Sequence, residues 1–183
     1  MLKSFLVFFA DIFETIIIAL AVFLFTYFLL IQPHRVQGDS MLPSFRHGEL
    51  ILTDKISYRI RPPARGDVVV FASPSDSGKD FIKRIVGLSG EKIALRSGQI
   101  YINGVAVKEL YTAQGTKTLT GSYLAENAEI TISDNEYFVL GDNRSHSSDS
   151  REWGPIKKSA LVGRAFIIYW PPPSFALVPQ VEF

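Results

Sequence analysis

The stretch Phe81-Ile82-Lys83-Arg84-Ile85-Val86-Gly87 is short, rich in β-branched residues and bounded by glycine. A run of that length and character reads as a β-strand. Successive strand residues point to opposite faces, so Phe81, Lys83 and Ile85 share one side. A strand lysine most often faces water at a sheet edge. This one shares its face with two large apolar residues, which predicts an apolar setting for its amine.

Working outward, residues 49–53, 66–71, 98–102, 105–107, 128–132, 137–140 and 165–170 carry the same strand signature. Pro62-Pro63, Ser73-Pro74-Ser75 and Asp76-Ser77-Gly78 mark loops between them. In Ile102-Asn103-Gly104-Val105 an Asn-Gly pair sits between β-branched residues. That is a strong signal for a type I′ hairpin, which needs positive φ at both central positions. No long amphipathic helix and no internal repeat follow residue 33. The expected fold class is mainly β, with an N-terminal transmembrane helix followed by a single antiparallel β domain over residues 34–183. A domain of about 150 residues buries roughly 68–70% of its surface and needs no staples.

Residues 15–31, TIIIALAVFLFTYFLLI, carry no charge, and residues 5–10 extend the apolar stretch upstream of Asp11 and Glu14. A bilayer core about 30 Å thick needs roughly 17–25 apolar helical residues, so the run is long enough to span. A cleavable signal peptide would have an apolar core of about 7–15 residues ending in a small-x-small site. Here the run ends in Leu30-Ile31-Gln32-Pro33-His34. The core helix of a soluble domain is rarely apolar on every side. Residues 1–33 are therefore expected to be a membrane anchor, with the span over about 12–31. Lys3 is offset by Asp11 and Glu14, while His34 and Arg35 flank the other end, so the charge pattern leaves the orientation open.

The 183 residues carry 19 basic and 18 acidic side chains, a net charge of +1 and no cysteine. Without a basic stripe interleaved with aromatics, nucleic acid is not an expected partner. The lack of cysteine excludes a thiol nucleophile, thiolate metal sites and disulfides.

Three segments concentrate polar groups beyond the needs of a plain β domain: Gly38-Asp39-Ser40-Met41-Leu42-Pro43-Ser44, Lys83-Arg84, and Gly141-Asp142-Asn143-Arg144-Ser145-His146-Ser147-Ser148-Asp149-Ser150-Arg151. Singly, each has an ordinary reading. Gly-Asp-Ser and Pro-Ser make turns. Asp142, Asn143 and Asp149 could hold a cation, although their spacing does not match a calcium loop.

Together with Arg65-Gly66-Asp67-Val68-Val69, these segments occur in the order of the signature blocks of bacterial type I signal peptidases, which they resemble from the anchor to about Arg164. The resemblance implies a membrane-anchored serine endopeptidase of signal peptidase/LexA-like fold, with Ser40 as nucleophile and Lys83 as general base. It implies that Ser147 orients the lysine and that Asp149 and Arg151 pair to brace the site. It further implies a single-pass protein of the cytoplasmic (inner) membrane with its catalytic domain on the extracytoplasmic side. The expected partners are the signal peptides of secreted preproteins and the lipid bilayer. A monomer is expected, and no cofactor or metal.

A Ser–Lys pair sets a physical demand. Free lysine has a pKa of about 10.4 and must lose roughly 2–3 units to serve as a base near neutrality. Burial among apolar groups does this by penalising the ammonium form, and a carboxylate alongside would oppose it. Asp149 is thus expected to engage Arg151 and leave Lys83 alone. The backbone N–H of Ser40 is the natural first oxyanion donor. Many family members have a serine where this chain has Gly38, which leaves the second donor open; Gly38 is a supporting candidate through close backbone approach.

The family's substrate is an extended segment with small residues at alternate positions, suited to binding as an added strand. Met41, Leu42 and Ile82 are candidates to line its pockets, and Phe45, Trp170 and Phe175 to form an interfacial rim. The rival chemistry is a Ser-His-Asp triad of His146 with Asp142 or Asp149, in the manner of Gly-Asp-Ser lipases. Those enzymes are α/β proteins, a pattern not visible here. A soluble self-cleaving regulator of the LexA-like kind would need neither the anchor nor the third polar segment. With both Ser40 and Lys83 present, nothing favours an anchored domain without enzyme activity.

Overall fold

The computed structural model describes residues 2–181, apart from the loop residues Ser75 and Ser77 and the side chains of residues 2–7 and 28. Helix α1 (Leu2–Leu30) opens the chain. Its segment Phe8–Tyr27 has a mean hydropathy of 2.3, and 0% of it is buried within the molecule. A core helix hides such a surface; this one presents it all round, as one membrane span requires. The segment starts nearer the N-terminus than the sequence suggests, because the helix stops at Leu30. Ile31 already belongs to β1 (Ile31–Arg35), paired with β2 (Leu50–Asp54) from Ile31↔Asp54 to Arg35↔Leu50. Pro33 is tolerated there because β1 ends its sheet and has one neighbour only.

Ten further strands follow: β3 (Val68–Ala72), β4 (Asp80–Gly87), β5 (Lys92–Arg96), β6 (Gln99–Ile102), β7 (Val105–Ala106), β8 (Glu129–Thr131), β9 (Glu136–Leu140), β10 (Ile156–Lys157), β11 (Leu161–Trp170) and β12 (Ala176–Leu177). Two short helices, α2 (Ser57–Ile60) and α3 (Ser150–Trp153), lie between strands. One sheet runs β1-β2-β11-β3-β4-β9-β10 with β12 on β11, and the other runs β7-β6-β5-β8. The strand pairings are antiparallel. The Asn-Gly hairpin forms as expected, with φ of +50° at Asn103 and +81° at Gly104 joining Ile102↔Val105.

β4 lies between three apolar clusters. Val86 joins Ile93, Leu95, Ile100 and Phe138, which ties the two sheets together. Ile85 packs with Val69, Phe71 and Val139. Ile82 borders a third cluster of Val36, Met41, Phe45, Ile51 and Val70. Phe45 is 1% exposed, so it is a core residue and not part of a rim, whereas Trp170 at 53% and Phe175 at 65% are exposed. Burying a phenylalanine contributes about 1.5–3 kcal/mol, which explains why the turn after Ser40 folds inward around it.

Register links the anchor to the centre of the sheet. Lys83 pairs with Val69, Val69 with Arg164, Arg164 with Asp54, and Asp54 with Ile31. Lys83 therefore stands in the row of residues that begins at the first position after α1. Four strand spacings at about 4.8 Å separate the ends of that row by roughly 19 Å.

Candidate active site

Lys83 sits where β4 loses one neighbour: β9 pairs with it from Arg84 onward, and the chain then turns away after Leu140. Into that space comes the segment following β1. Lys83 is 5% exposed. Its Nζ lies 2.7 Å from Ser40 Oγ and 5.6 Å from the centre of the Phe81 ring. Among the described residues no carboxylate forms an ion pair with it. Burial pushes the amine down to about 8; Asp149 and then Asp142 push it back up at longer range, and Arg151 assists the descent. Desolvation outweighs the carboxylates because none of them touches the nitrogen.

The Ser40 segment is held from the third polar stretch. Asn143 N–H donates to Ser40 O at 3.0 Å, and its side-chain amide donates to Asp39 O at 3.0 Å. Phe45 N–H donates to Met41 O at 2.9 Å, closing the turn. Gly141 must be glycine for steric reasons. A Cβ there would fall 2.5 Å from Ser40 O and 2.2 Å from Ser147 Oγ.

Behind the pair lies a buried lattice of arginines and acids. Arg84 makes a two-pronged contact with Asp142, at 2.9 and 2.7 Å, and also reaches Gly66 O at 2.9 Å and Ser44 Oγ at 3.2 Å. Arg151 holds Asp149 at 2.7 and 2.9 Å, and Asp149 Oδ2 accepts Gly141 N–H at 3.0 Å. Arg144 bonds Glu109 through both terminal nitrogens and reaches Thr118 Oγ1 at 2.6 Å and Gly141 O at 3.0 Å. The guanidinium of Arg84 lies 4.4 Å from the Tyr111 ring centre. A planar guanidinium with five donors suits such sites, where each buried charge needs several acceptors.

Expected site residues fall into distinct places. Ser40 and Lys83 meet, and Asp149 and Arg151 pair. Ser147 Oγ is buried without a hydrogen-bond partner among the described residues, so it makes no bond to Lys83; its carbonyl instead accepts from Arg151 at 3.1 Å. Gly38 adopts φ +82°, and a Cβ on it would meet nothing within 4 Å. Its positive φ favours glycine in the backbone turn, and no protein atom crowds it. Its N–H is already given to His47 Nδ1 at 3.0 Å.

A cleft of about 420 Å³ opens at Ser40 and Lys83, with Val36, Ile51, Val70 and Ile82 among its walls. Of the three residues expected there, Ile82 lines it. Met41 is 1% exposed and packs in the core, and Leu42 is half-buried outside the lining. His34 and Asp80, which are not among the expected site residues, stand at the cleft 3.4 Å apart. His34 lies in β1 and Asp80 opens β4, so only the folded sheet brings them together and no local pattern relates them. None of the histidines hydrogen-bonds Ser40: His146 is exposed and 2.9 Å from Ser145 Oγ, His47 holds Gly38, and His34 Nδ1 is 3.0 Å from Thr53 Oγ1. Asp142 and Asp149, the acids of the cation and triad readings, are each committed to an arginine.

A family model described as "Signal peptidase, peptidase S26" matches residues 9–170. The "Probable signal peptidase I-2" of Synechocystis sp. is 38% identical over 149 residues, which are 78% of this chain and 65% of that relative's own length. "Signal peptidase I" of Bacillus caldolyticus is 36% identical over 148 residues, 77% of this chain and 80% of that protein. "Signal peptidase I V" of Bacillus subtilis is 37% identical over 137 residues, 71% of this chain and 80% of that protein.

Proposed function

This chain belongs to the signal peptidase family, peptidase S26, whose members cleave signal peptides from preproteins, and we propose that it does so with Ser40 as nucleophile and Lys83 as general base. The observation that carries this reading is the 2.7 Å approach of a buried, unpaired amine to the Ser40 hydroxyl. With its pKa lowered to about 8, a substantial share of Lys83 is neutral near that pH and can take a proton.

The steps follow from the geometry. Lys83 Nζ accepts the hydroxyl proton as Ser40 Oγ bonds to the carbonyl carbon of the scissile peptide. The carbonyl oxygen becomes an oxyanion, for which the backbone N–H of Ser40 is the donor to hand; it has no acceptor among the described residues. The lysine ammonium then gives its proton to the leaving amine, and the C–N bond breaks to leave an acyl ester on Ser40. Water, deprotonated by the same amine, hydrolyses that ester. Gly38 N–H is not a free second donor, being engaged by His47.

The apolar walls at Val36, Ile51, Val70 and Ile82 suit small uncharged side chains of an extended segment laid along β4. In this reading the chain up to Leu30 is the anchor, three residues shorter than the expected 1–33, and the chain from β1 onward is a monomeric catalytic domain. The protein crosses the cytoplasmic membrane once, with that domain on the extracytoplasmic side, where it meets signal peptides still held in the bilayer. The test is cleavage of a preprotein bearing an Ala-x-Ala site by detergent-solubilised full-length protein. Ser40→Ala and Lys83→Ala should each abolish it. Full activity in either variant refutes the assignment.

A further inference from the structure

The exit of the anchor carries a second feature that the catalytic reading does not use. Lys55 N–H donates to Leu30 O at 3.0 Å, which ties the chain after β2 to the last residue of α1. Register brings the start of β11 to the same place. Arg164 pairs with Asp54 and Asp54 with Ile31, so Leu161 and Val162 continue past that row on the side of α1. A cavity of about 520 Å³ opens there, walled by Gln32, Lys55, Arg59, Lys158, Leu161 and Val162.

Its charged groups are all cationic. The nearest acids are spent elsewhere: Asp54 accepts from Ile56 N–H and Ser57 N–H, and Asp67 is held by Arg61, Tyr58 and Ala64 N–H. Among the described residues, Lys55, Arg59 and Lys158 have no acidic partner. Ile60, beside Arg59, is 84% exposed, more than any other large apolar side chain described. A cavity walled by cations, with a protruding apolar residue following Arg59 and the end of an apolar helix at its side, matches a surface that meets anionic headgroups and dips its apolar tip among them.

We propose that Lys55, Arg59 and Lys158 form a second contact with the bilayer, binding the phosphates of anionic lipid headgroups and holding the β domain down beside α1. The proposal rests on the reading of α1 as a membrane span. Docked in this way, the row from Ile31 to Lys83 lies along the membrane surface, where a substrate leaving the bilayer would meet it.

The chain has no cysteine, so Ile60→Cys offers a single labelling point at an exposed position. Full-length protein carrying a polarity-sensitive fluorophore there would be reconstituted into phosphatidylcholine vesicles with and without phosphatidylglycerol. The expected result is a blue-shifted label, about tenfold better protected from iodide quenching, in the anionic vesicles only. High salt should reverse it, since screening shortens the reach of surface charge. The triple variant K55Q/R59Q/K158Q should lose the protection, and K108Q/K117Q should keep it. Cleavage by the triple variant in detergent should match the parent, which shows that it folds. Carbonate-resistant protein whose label behaves alike in both vesicles, or a triple variant that keeps full protection, overturns the docking. Release of the protein by alkaline carbonate would instead refute the span itself.

Discussion

Lys83 and Arg84 are neighbours on β4, both cationic in water and both nearly inaccessible, at 5% and 1% exposure. Their surroundings treat them in opposite ways. Arg84 faces Asp142 across two hydrogen bonds, with Gly66 O and Ser44 Oγ as further acceptors. Lys83, one residue earlier and on the other face, meets a hydroxyl, an aromatic ring and no carboxylate. Both are buried, and what differs is the chemistry of the group together with its partner. A guanidinium does not shed its proton, so one side of β4 holds a permanent charge that Asp142 compensates; an amine can shed its proton, and the other side gives it no carboxylate to hold the charge.

The contrast can be broken most sharply at the amine. Lys83→Arg places beside Ser40 a group that cannot deprotonate, and Ser40→Ala removes the proposed nucleophile. Each should reduce kcat for preprotein cleavage by at least about 10⁴-fold, measured in single-turnover assays. On the brace side, Asp142→Ala leaves Arg84 charged and buried without its acid. That should destabilise the protein by about 3–5 kcal/mol in urea unfolding. Should Asp142→Ala prove harmless, the brace reading of Arg84 is wrong.

A fourth change isolates the cost of the buried amine. Because the amine of Lys83 is lowered from 10.5 to about 8, the unfolded chain binds the extra proton between those values. Stability from this group therefore rises as pH climbs through that window, and the penalty of the buried ammonium is complete below it. Lys83→Met should stabilise the protein at pH 7 by about 3 kcal/mol, with the gain fading towards pH 10.5. A gain independent of pH would point to packing instead.

Smaller effects refine the picture. The rate should rise with pH along a limb centred near 8. Asp149 is the largest of the charges holding that amine up, so Asp149→Asn should move the limb to lower pH; no movement would detach Asp149 from the titration. His146→Ala should change the rate by less than about twofold, since the exposed ring contacts Ser145 and not Ser40.

Legibility in the sequence followed the range of the interactions. The Asn103-Gly104 hairpin and the strand at Lys83 were readable because turn chemistry and alternation act over a few residues. β5, with Lys92-Ile93-Ala94-Leu95-Arg96, escaped because its apolar run has no period-two signal: Ile93, Ala94 and Leu95 are all buried. β1 escaped because its first residue continues the apolar run of the anchor. The lattice of Arg144 with Glu109, Tyr111 and Thr118 was invisible as well, since its members lie 26 to 35 residues apart. Met41 illustrates the same limit within the site. Adjacent to Ser40 in the chain, it turns its side chain into the core, because a tight turn sends successive residues in opposite directions.

From the order of residues alone came the apolar helix, the β body and the identity of the groups able to react, since periodicity and side-chain chemistry are local properties. Tertiary structure decided that the amine of Lys83 would be stripped of water, denied a carboxylate and set 2.7 Å from a hydroxyl 43 positions earlier. Proton affinity depends on everything within several ångströms in space, and the chain order does not specify those neighbours until the sheet has closed around them.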